Sequence, residues 1–516
     1  MANMSITHSS RESEVGGISE EKRTLEQYEL EVLEKVDERS KDLDAGAKFL
    51  QDHSEHANYT PEEAKKVLRK IDWMLMPIMT IVITLAAADK IIISNAAIYG
   101  MKVDADLVGN QYSWLGSIFY FGYLLMEFPA NYIIQKLPVS KTLCTSFFAW
   151  CIVLMCMAAG KNFGSLAAMR FLLGMGEAFL FPSLTVITAM FYKKSEQPFR
   201  TAIWFSGFSS VITGILSYGL GHAHSAIDNW RLLFLVFGAI TFFFTIIMFF
   251  LLPDSPMSCR LFNERESYIA VHRTMENMTG TKNSVFKKNQ LWEALMDWKT
   301  WVMSIFVLSI NISNGGLVTF AAQIVSGLGY SPLNTTLLGI PTGIFMTLSS
   351  WLIALPSLKY PRKYRSISTA IVCLCPLICC ALMMSLDSGK LLAAYYFFYF
   401  YWGPYVSMTT LSMANTSGHT KKTVVNAVNF ISYCVSNIIA PQFFITSQAP
   451  TYQTGYRAIL GFTAAAVLSI IAYGVGCLYE NARRDKKYGP VPENFVEEEG
   501  LDLTDIEKEK YFRYVW

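Results

Sequence analysis

The chain has 516 residues, 52% of them hydrophobic and only 16% charged, with a mean hydropathy of +0.30. That balance excludes a soluble enzyme with a single core and describes a membrane protein. A formal net charge of +2 gives no support to a nucleic-acid partner.

In chain order, residues 1–65 are polar and open with MANMSITHSSRESEVGG. They lack the short apolar run and cleavage site of a signal peptide and read as a disordered cytosolic arm. A helix needs about 20 apolar residues to cross the hydrocarbon. Runs of that size fall at 71–101, 112–135, 141–160, 164–191, 201–221 and 231–252, then at 300–327, 333–356, 366–386, 390–413, 423–446 and 457–479. These twelve spans fill two nearly equal segments, 66–252 and 300–479. Residues 253–299 between them carry charges of mixed sign, cannot span, and read as a cytosolic loop with surface helices. Residues 480–516 read as a polar cytosolic tail. The expected fold is an all-α membrane protein with twelve transmembrane helices in two pseudo-symmetric six-helix halves, the hydropathy pattern of a transporter built from repeats with its site near the midplane.

Nine of the ten cysteines lie in apolar runs and Cys259 lies in a charged loop. With no histidine beside them they read as reduced thiols packed as small apolar groups. Lys136, Lys141, Lys193, Lys194, Arg200, Lys359, Arg362, Lys363, Arg365, Lys421, Lys422 and the run Arg483–Lys487 all fall at one end of the spans. By the positive-inside rule that basic end faces the cytosol, and both termini lie there.

Five ionisable residues cannot reach an interface: Asp89 and Lys90 in the first span, Glu127 in the second, Arg170 and Glu177 in the fourth. Buried charges of this kind mark ion or proton pathways, because each needs a partner or a wet cavity. The alternative is that Arg170 and Glu177 only pin their helix to a neighbour. Seven residues separate them, so they share a face about 10 Å apart along the axis, too far for a direct pair. Asp89 and Lys90 are the nearest opposite charges. Adjacent residues point about 100° apart on a helix, so one of these two is expected to face the cavity while the other holds a neighbour. Gly174 and Gly176 leave room for a close helix, and Pro182 predicts a kink. Glu127 leaves the five charges at net −1. Either it stays protonated through desolvation or it pairs with Lys136 or Lys141.

The second half carries no such charge. Asn311, Asn314, Gly315 and Gly316 are expected to interrupt the seventh span, and Tyr395, Tyr396, Tyr399, Trp402, Gly403 and Pro404 crowd the tenth. Breaks at corresponding places in repeated halves point to a substrate site, with Asn311, Asn314, Tyr399 and Trp402 as candidate substrate-binding residues. Core packing is the alternative for any one of the aromatics.

At these residues the chain resembles a known family. RKIDWMLMPIMTIVITLAAADKIIISNAAIYGM in the first span and YFGYLLMEFPANYIIQK in the second are similar to fungal anion:cation symporters of the major facilitator superfamily. So is the set Arg170, Leu173, Gly174, Glu177, Ala178, Pro182, Phe191, Tyr192, Glu196 and Arg200. LLPDSP, NISNGGLVTF, LLGIPTG, ANTSGHTKKTVVNAVNF, APQFFITSQAPTYQTGYRA, ENARRDKK and LTDIEKEKYFRY resemble the allantoate permease group, and the likeness covers nearly the whole chain from about Lys66. Lys90 departs from the commoner arginine, so a two-point clamp on a carboxylate is expected of Arg170 rather than of Lys90.

The resemblance implies a proton-coupled symporter of a small organic anion. Lys90 and Arg170 would contact the anion; Asp89 and Glu177 would take the coupling proton, with Glu127 a further proton-coupling candidate. The implied substrates are ureido acids such as allantoate and ureidosuccinate, or dipeptides; the alternatives are vitamins or sulfur-containing acids such as nicotinate, pantothenate, biotin or cysteine-like compounds. A nutrient sensor that does not transport also fits twelve spans. An enzyme fits poorly, because no nucleophile-and-base pair or metal cluster is present. The expected setting is the lipid bilayer, most simply the plasma membrane, as a monomer with protons as the coupling ion and no other cofactor.

Overall fold

The computed structural model describes residues 45–193, 195–204, 207–278, 287–360, 363–385, 388–491 and 503–516. They form two compact units: Met1–Val67 with Pro256–Met275, and Leu68–Ser255 with Glu276–Trp516.

Of the arm 1–65 read as disordered, residues 1–44 lie outside the described residues; within 45–65, Ala45–Asp52 is a helix and a second begins at Pro61. The start at Pro61 is written in the sequence Thr-Pro-Glu-Glu. Thr60 N donates to Glu63 Oε2 (2.8 Å), Glu63 N donates to Thr60 Oγ1 (3.3 Å), and proline takes the first helical position, where no donor is needed. Asn263 and Glu266 repeat the box at the start of Glu264–Met278. Leu50, Tyr268 and Val271 form the core of this unit, with Phe49, Tyr59 and Met257 packed on it.

In the larger unit, nine helices among the described residues are long and apolar enough to cross a membrane. Three further helical passes complete the expected twelve. Gln111–Lys136 carries Glu127 and Lys136; the fifth pass comes as Gln197–Trp204 and Phe208–Gly221; the tenth runs through Ser388–Phe398, Tyr399–Tyr401 and Trp402–Ala414. The seventh is the correction: Trp298–Ser326 is one unbroken helix through Asn314-Gly315-Gly316. Its glycines serve close packing, because a Cβ on Gly315 would stand 2.8 Å from Ala440 Cβ and one on Gly316 2.6 Å from Phe444. The twelfth helix also exceeds its expected span and continues to Tyr488. None of the ten cysteines, all of them among the described residues, is in a disulfide.

At the basic end, Arg200 clamps the first span to the fifth, its Nε and Nη2 each donating to a carboxylate oxygen of Asp72 at 3.0 Å. Contacts between the six-helix halves gather toward the opposite end. Tyr112 OH donates to Thr319 O (2.6 Å), Ser117 Oγ to Ile438 O (2.6 Å), Gln442 Nε2 to Ser117 Oγ (2.9 Å), Ala322 N to Ser94 Oγ (2.9 Å), and Lys102 to Gln323. Near mid-depth, Gly207 of the fifth span meets Gly343 of the eighth backbone to backbone, and Tyr123 of the second meets Phe430 of the eleventh with ring centroids 5.1 Å apart.

Candidate functional site

The fourth span carries the site because two glycines let it lie against the second. A Cβ on Gly174 would stand 1.9 Å from Phe119 O, and one on Gly122 2.1 Å from Phe171 O, so only the smallest residue allows the two backbones to approach this closely. Gly176 faces a third helix, with Trp150 Cβ 3.2 Å from the Cβ it lacks. The predicted kink is present as a break at 178–179, between Phe163–Glu177 and Leu180–Phe191. Pro182 has no N–H for the carbonyl of Ala178, and its ring crowds that group. Beside the break, Gly176 O accepts from Ser146 Oγ of the third span (2.8 Å). Glu177 is therefore the last residue before a discontinuity.

Both first-span charges reach the fourth span. Arg170 Nη1 lies 3.6 Å from Asp89 Oδ2, and Lys90 Nζ pairs with Glu177 Oε1. The expectation that Arg170 and Glu177 use Asp89 and Lys90 rather than each other agrees with this geometry. The expected division, one residue to the cavity and one to a neighbour, does not. Asp89, Arg170 and Glu177 are 0%, 2% and 6% exposed, and the four charges sum to zero. At 3.6 Å the first pair is not a hydrogen bond, and the buried Nε and Nη2 of Arg170, both oxygens of Asp89 and Oε2 of Glu177 have no hydrogen-bond partner. Native interiors rarely leave such groups unmet without a functional reason.

Glu127 stands apart. Asn131 Nδ2 donates to its Oε1 at 3.2 Å and its Oε2 is unpartnered. Neither lysine weighed as its partner is there: Lys141 lies 3.8 Å from Asp254, and Lys136 stands over the ring of Tyr132.

In the second half, protein partners already occupy most of the predicted polar residues. Asn314 Nδ2 donates to Asn437 Oδ1 (2.9 Å), and Tyr401 OH donates to Asn314 Oδ1 (3.0 Å). Tyr399 OH shares a hydrogen bond with Tyr395 OH at 3.0 Å. Asn311 donates along its own helix to Val307 O (2.8 Å) and keeps Oδ1 free. Trp402 packs on Tyr401 and Tyr405. Replacing Asn437 with leucine is expected to strand the Asn314 amide and lower stability by about 1–3 kcal/mol, read as a reduced melting temperature of the purified protein.

Opposite the charges stands an aromatic wall that the sequence reading did not single out. Tyr433 stacks on Tyr405 (5.7 Å) and meets Tyr120 edge-on (5.8 Å). Glu177 lies within electrostatic reach of Tyr120 and Tyr433, and Lys90 of Tyr405. Asn437 was within reach of the rule that picked Asn311 and Asn314, a carboxamide inside an apolar run. The tyrosines carried no comparable signal, because a tyrosine in such a run also suits plain packing.

Two buried, charge-balanced pairs between the first and fourth of twelve helices, in a chain of two six-helix halves, belong to a transporter architecture. The Major Facilitator Superfamily profile matches residues 78–441. The chain belongs to that superfamily. The allantoate permease of Saccharomyces cerevisiae is 35% identical over 94% of this chain and 91% of its own length. The thiamine pathway transporter THI73 of the same organism is 34% identical over 90% and 89%. Among solved structures, a bacterial homologue of the human lysosomal transporter Spinster superposes with a TM-score of 0.59 at 14% identity, covering 81% of this chain and 96% of that one. This major facilitator transporter is thus a multi-pass membrane protein, and its relatives are transporters rather than enzymes.

Proposed function

We propose that the protein is a proton-coupled symporter that carries a small organic anion across the plasma membrane, with its basic end in the cytosol. The observation that carries this reading is the buried guanidinium of Arg170, which keeps two N–H groups unused beside a carboxylate it does not hydrogen-bond. Such a fork suits a carboxylate. The quartet is neutral, so an anion arriving alone would leave a buried net charge. A proton on Asp89 releases Arg170 to the anion, and a proton on Glu177 releases Lys90. Each ligand then favours the other by the same coupling free energy. An anion entering a negative interior also works against about 2.3 kcal/mol per charge per 100 mV, a term that one proton per monoanion removes.

In this scheme Arg170 and Lys90 hold the anion and Asp89 and Glu177 carry the proton. Glu127, nearer the basic end, receives the proton on its way out. Asn311 offers its free Oδ1; Asn314, Tyr399 and Trp402 shape the opposite wall. The halves meet away from the basic end, which corresponds to the state open to the cytosol. The likeness to an allantoate permease favours ureido acids as substrates, and the likeness to a thiamine pathway transporter favours a vitamin-like compound as the second reading.

Expressing cells should accumulate a labelled ureido acid or a competing carboxylate, more strongly at acidic pH. No accumulation of any carboxylate from acidic to neutral pH overturns the reading. Glu177→Gln should abolish proton-driven accumulation while sparing substrate exchange; unchanged accumulation removes Glu177 from the coupling role.

A further inference from the structure

Residues 503–516, read from composition as part of a polar tail, are bound against the helices of the second half. Asp505 and Thr504 are fully buried and Tyr514 is nearly so. Asp505 Oδ1 lies 2.7 Å from Lys421 Nζ, and Asp505 Oδ2 lies 3.3 Å from Lys299 Nζ. Both lysines also hold Asp297, and Lys421 also holds Glu293. Tyr514 OH donates to Asp505 Oδ2 (2.7 Å) and accepts from Arg484 Nη2 (2.7 Å).

Two side-chain amides read the backbone. Asn481 accepts from Tyr514 N (2.8 Å) and donates to Tyr514 O (2.9 Å). Asn415 does the same for Val515, at 2.7 and 2.8 Å. Tyr514 is thus held by Asn481 of the twelfth helix and Val515 by Asn415 at the end of the tenth, so the end of the chain runs between those two helices. Arg484 Nη1 donates to Asp505 O and Phe512 O, Ser417 Oγ to Leu503 O, and Arg365 N to Trp516 O. Trp516 borders a cavity between the ninth and twelfth helices lined by Ile367, Ile371, Leu374, Ile471 and Val475.

We propose that the basic end of the second half is a peptide-binding site in its own right, whose ligand is this chain's segment 503–516 and whose occupancy joins the ends of five helices into one body. The host reads a segment that turns over 505–511 and runs on through Tyr514 and Val515: main-chain hydrogen bonds to those two residues supply affinity, and the paired lysines that hold Asp505 supply specificity, as in other peptide-recognition modes. Arg484, 2% exposed, and the two asparagines would lose these bonds if the segment left. Burial would push the Asp505 carboxyl up, but the charges of Lys299 and Lys421 and the hydrogen bonds from Lys421 and Tyr514 hold it below the usual range. A lowered value contributes affinity that is fully present at neutral pH and is lost as pH falls through it, so acid should weaken the hold on the segment.

The test uses the purified full-length protein with a protease site placed within 492–500. After cleavage, the fragment should co-elute with the body of the transporter, and the melting temperature should stay that of the uncut protein. In Asp505→Ala the cleaved fragment should separate. For a chain truncated after residue 500, a labelled peptide of residues 501–516 should bind, and the Asp505→Ala peptide should bind about thirty-fold more weakly or worse, as for truncation of a buried charge pair. Should the truncated chain not fold, the cleaved full-length protein still decides. A fragment that leaves the cleaved parent, or an Asp505→Ala fragment retained as tightly as the parent's, overturns the proposal.

Discussion

Arg170→Lys should reach the membrane at parental levels and take up substrate at no more than background. Lysine keeps a positive charge for Asp89, which is wholly buried, so the pair survives and so does the fold. What goes is the planar fork: Nε and Nη2, the two donors with no protein partner, have no counterpart on an ammonium. Hydrogen bonds to a charged group contribute about 1.5–3 kcal/mol each, so losing two corresponds to at least about a hundred-fold in anion affinity. Arg170→Leu separates the two roles. It leaves Asp89 as an uncompensated buried charge, at a cost of about 3–5 kcal/mol, and should fail to accumulate as folded protein. Concentration-dependent uptake with surface quantification reads both outcomes. An unchanged apparent affinity in Arg170→Lys would remove Arg170 from the substrate site.

Gly174→Val should abolish folded protein altogether. The first added carbon would fall 1.9 Å from the carbonyl oxygen of Phe119, and no rotamer change moves a backbone carbonyl. The second and fourth spans would have to part, beyond the about 1–3 kcal/mol typical of overpacking, and Arg170 and Glu177 would move with them. Gly176→Ala is the control. Its new methyl meets a side chain, Trp150, at 3.2 Å, and a shift of a few tenths of an ångström there should leave the protein folded with a modestly lower melting temperature. Size-exclusion profiles of the two variants distinguish a backbone clash from a side-chain one.

The order of spans was legible because about 20 apolar residues in a row have few other uses. The absence of an Arg170–Glu177 pair was legible because helix geometry alone sets their separation. Which first-span charge meets which fourth-span charge was not, since that depends on helix rotation and tilt. The seventh span misled: Asn-Gly-Gly weakens a helix in water, but within a bilayer an unmet backbone group is so unfavourable that the helix stays whole, and Asn314 finds Asn437 and Tyr401. Residues 45–65 misled through composition, although Thr60-Pro61-Glu62-Glu63 carried a helix start. The tail was opaque for another reason. Asp505 meets Lys421 and Lys299 across long sequence separations, and a charge run does not reveal its tertiary partners.

The crossing of Gly207 and Gly343 bears on how such a molecule changes state. A Cβ on Gly343 would stand 2.2 Å from Gly207 O, and one on Gly207 2.6 Å from Gly343 O, so the two backbones touch there, with the hydrogen bond from Thr342 Oγ1 to Ser210 Oγ (3.2 Å) beside the contact. Interlocked side chains resist sliding; two bare backbones do not. A rotation about this point would have to carry the Thr342–Ser210 hydrogen bond and the Ile340 side chain packed on Gly214. A methyl at either glycine would act as a wedge at the fulcrum, and its effect would be read in the balance between the two access states.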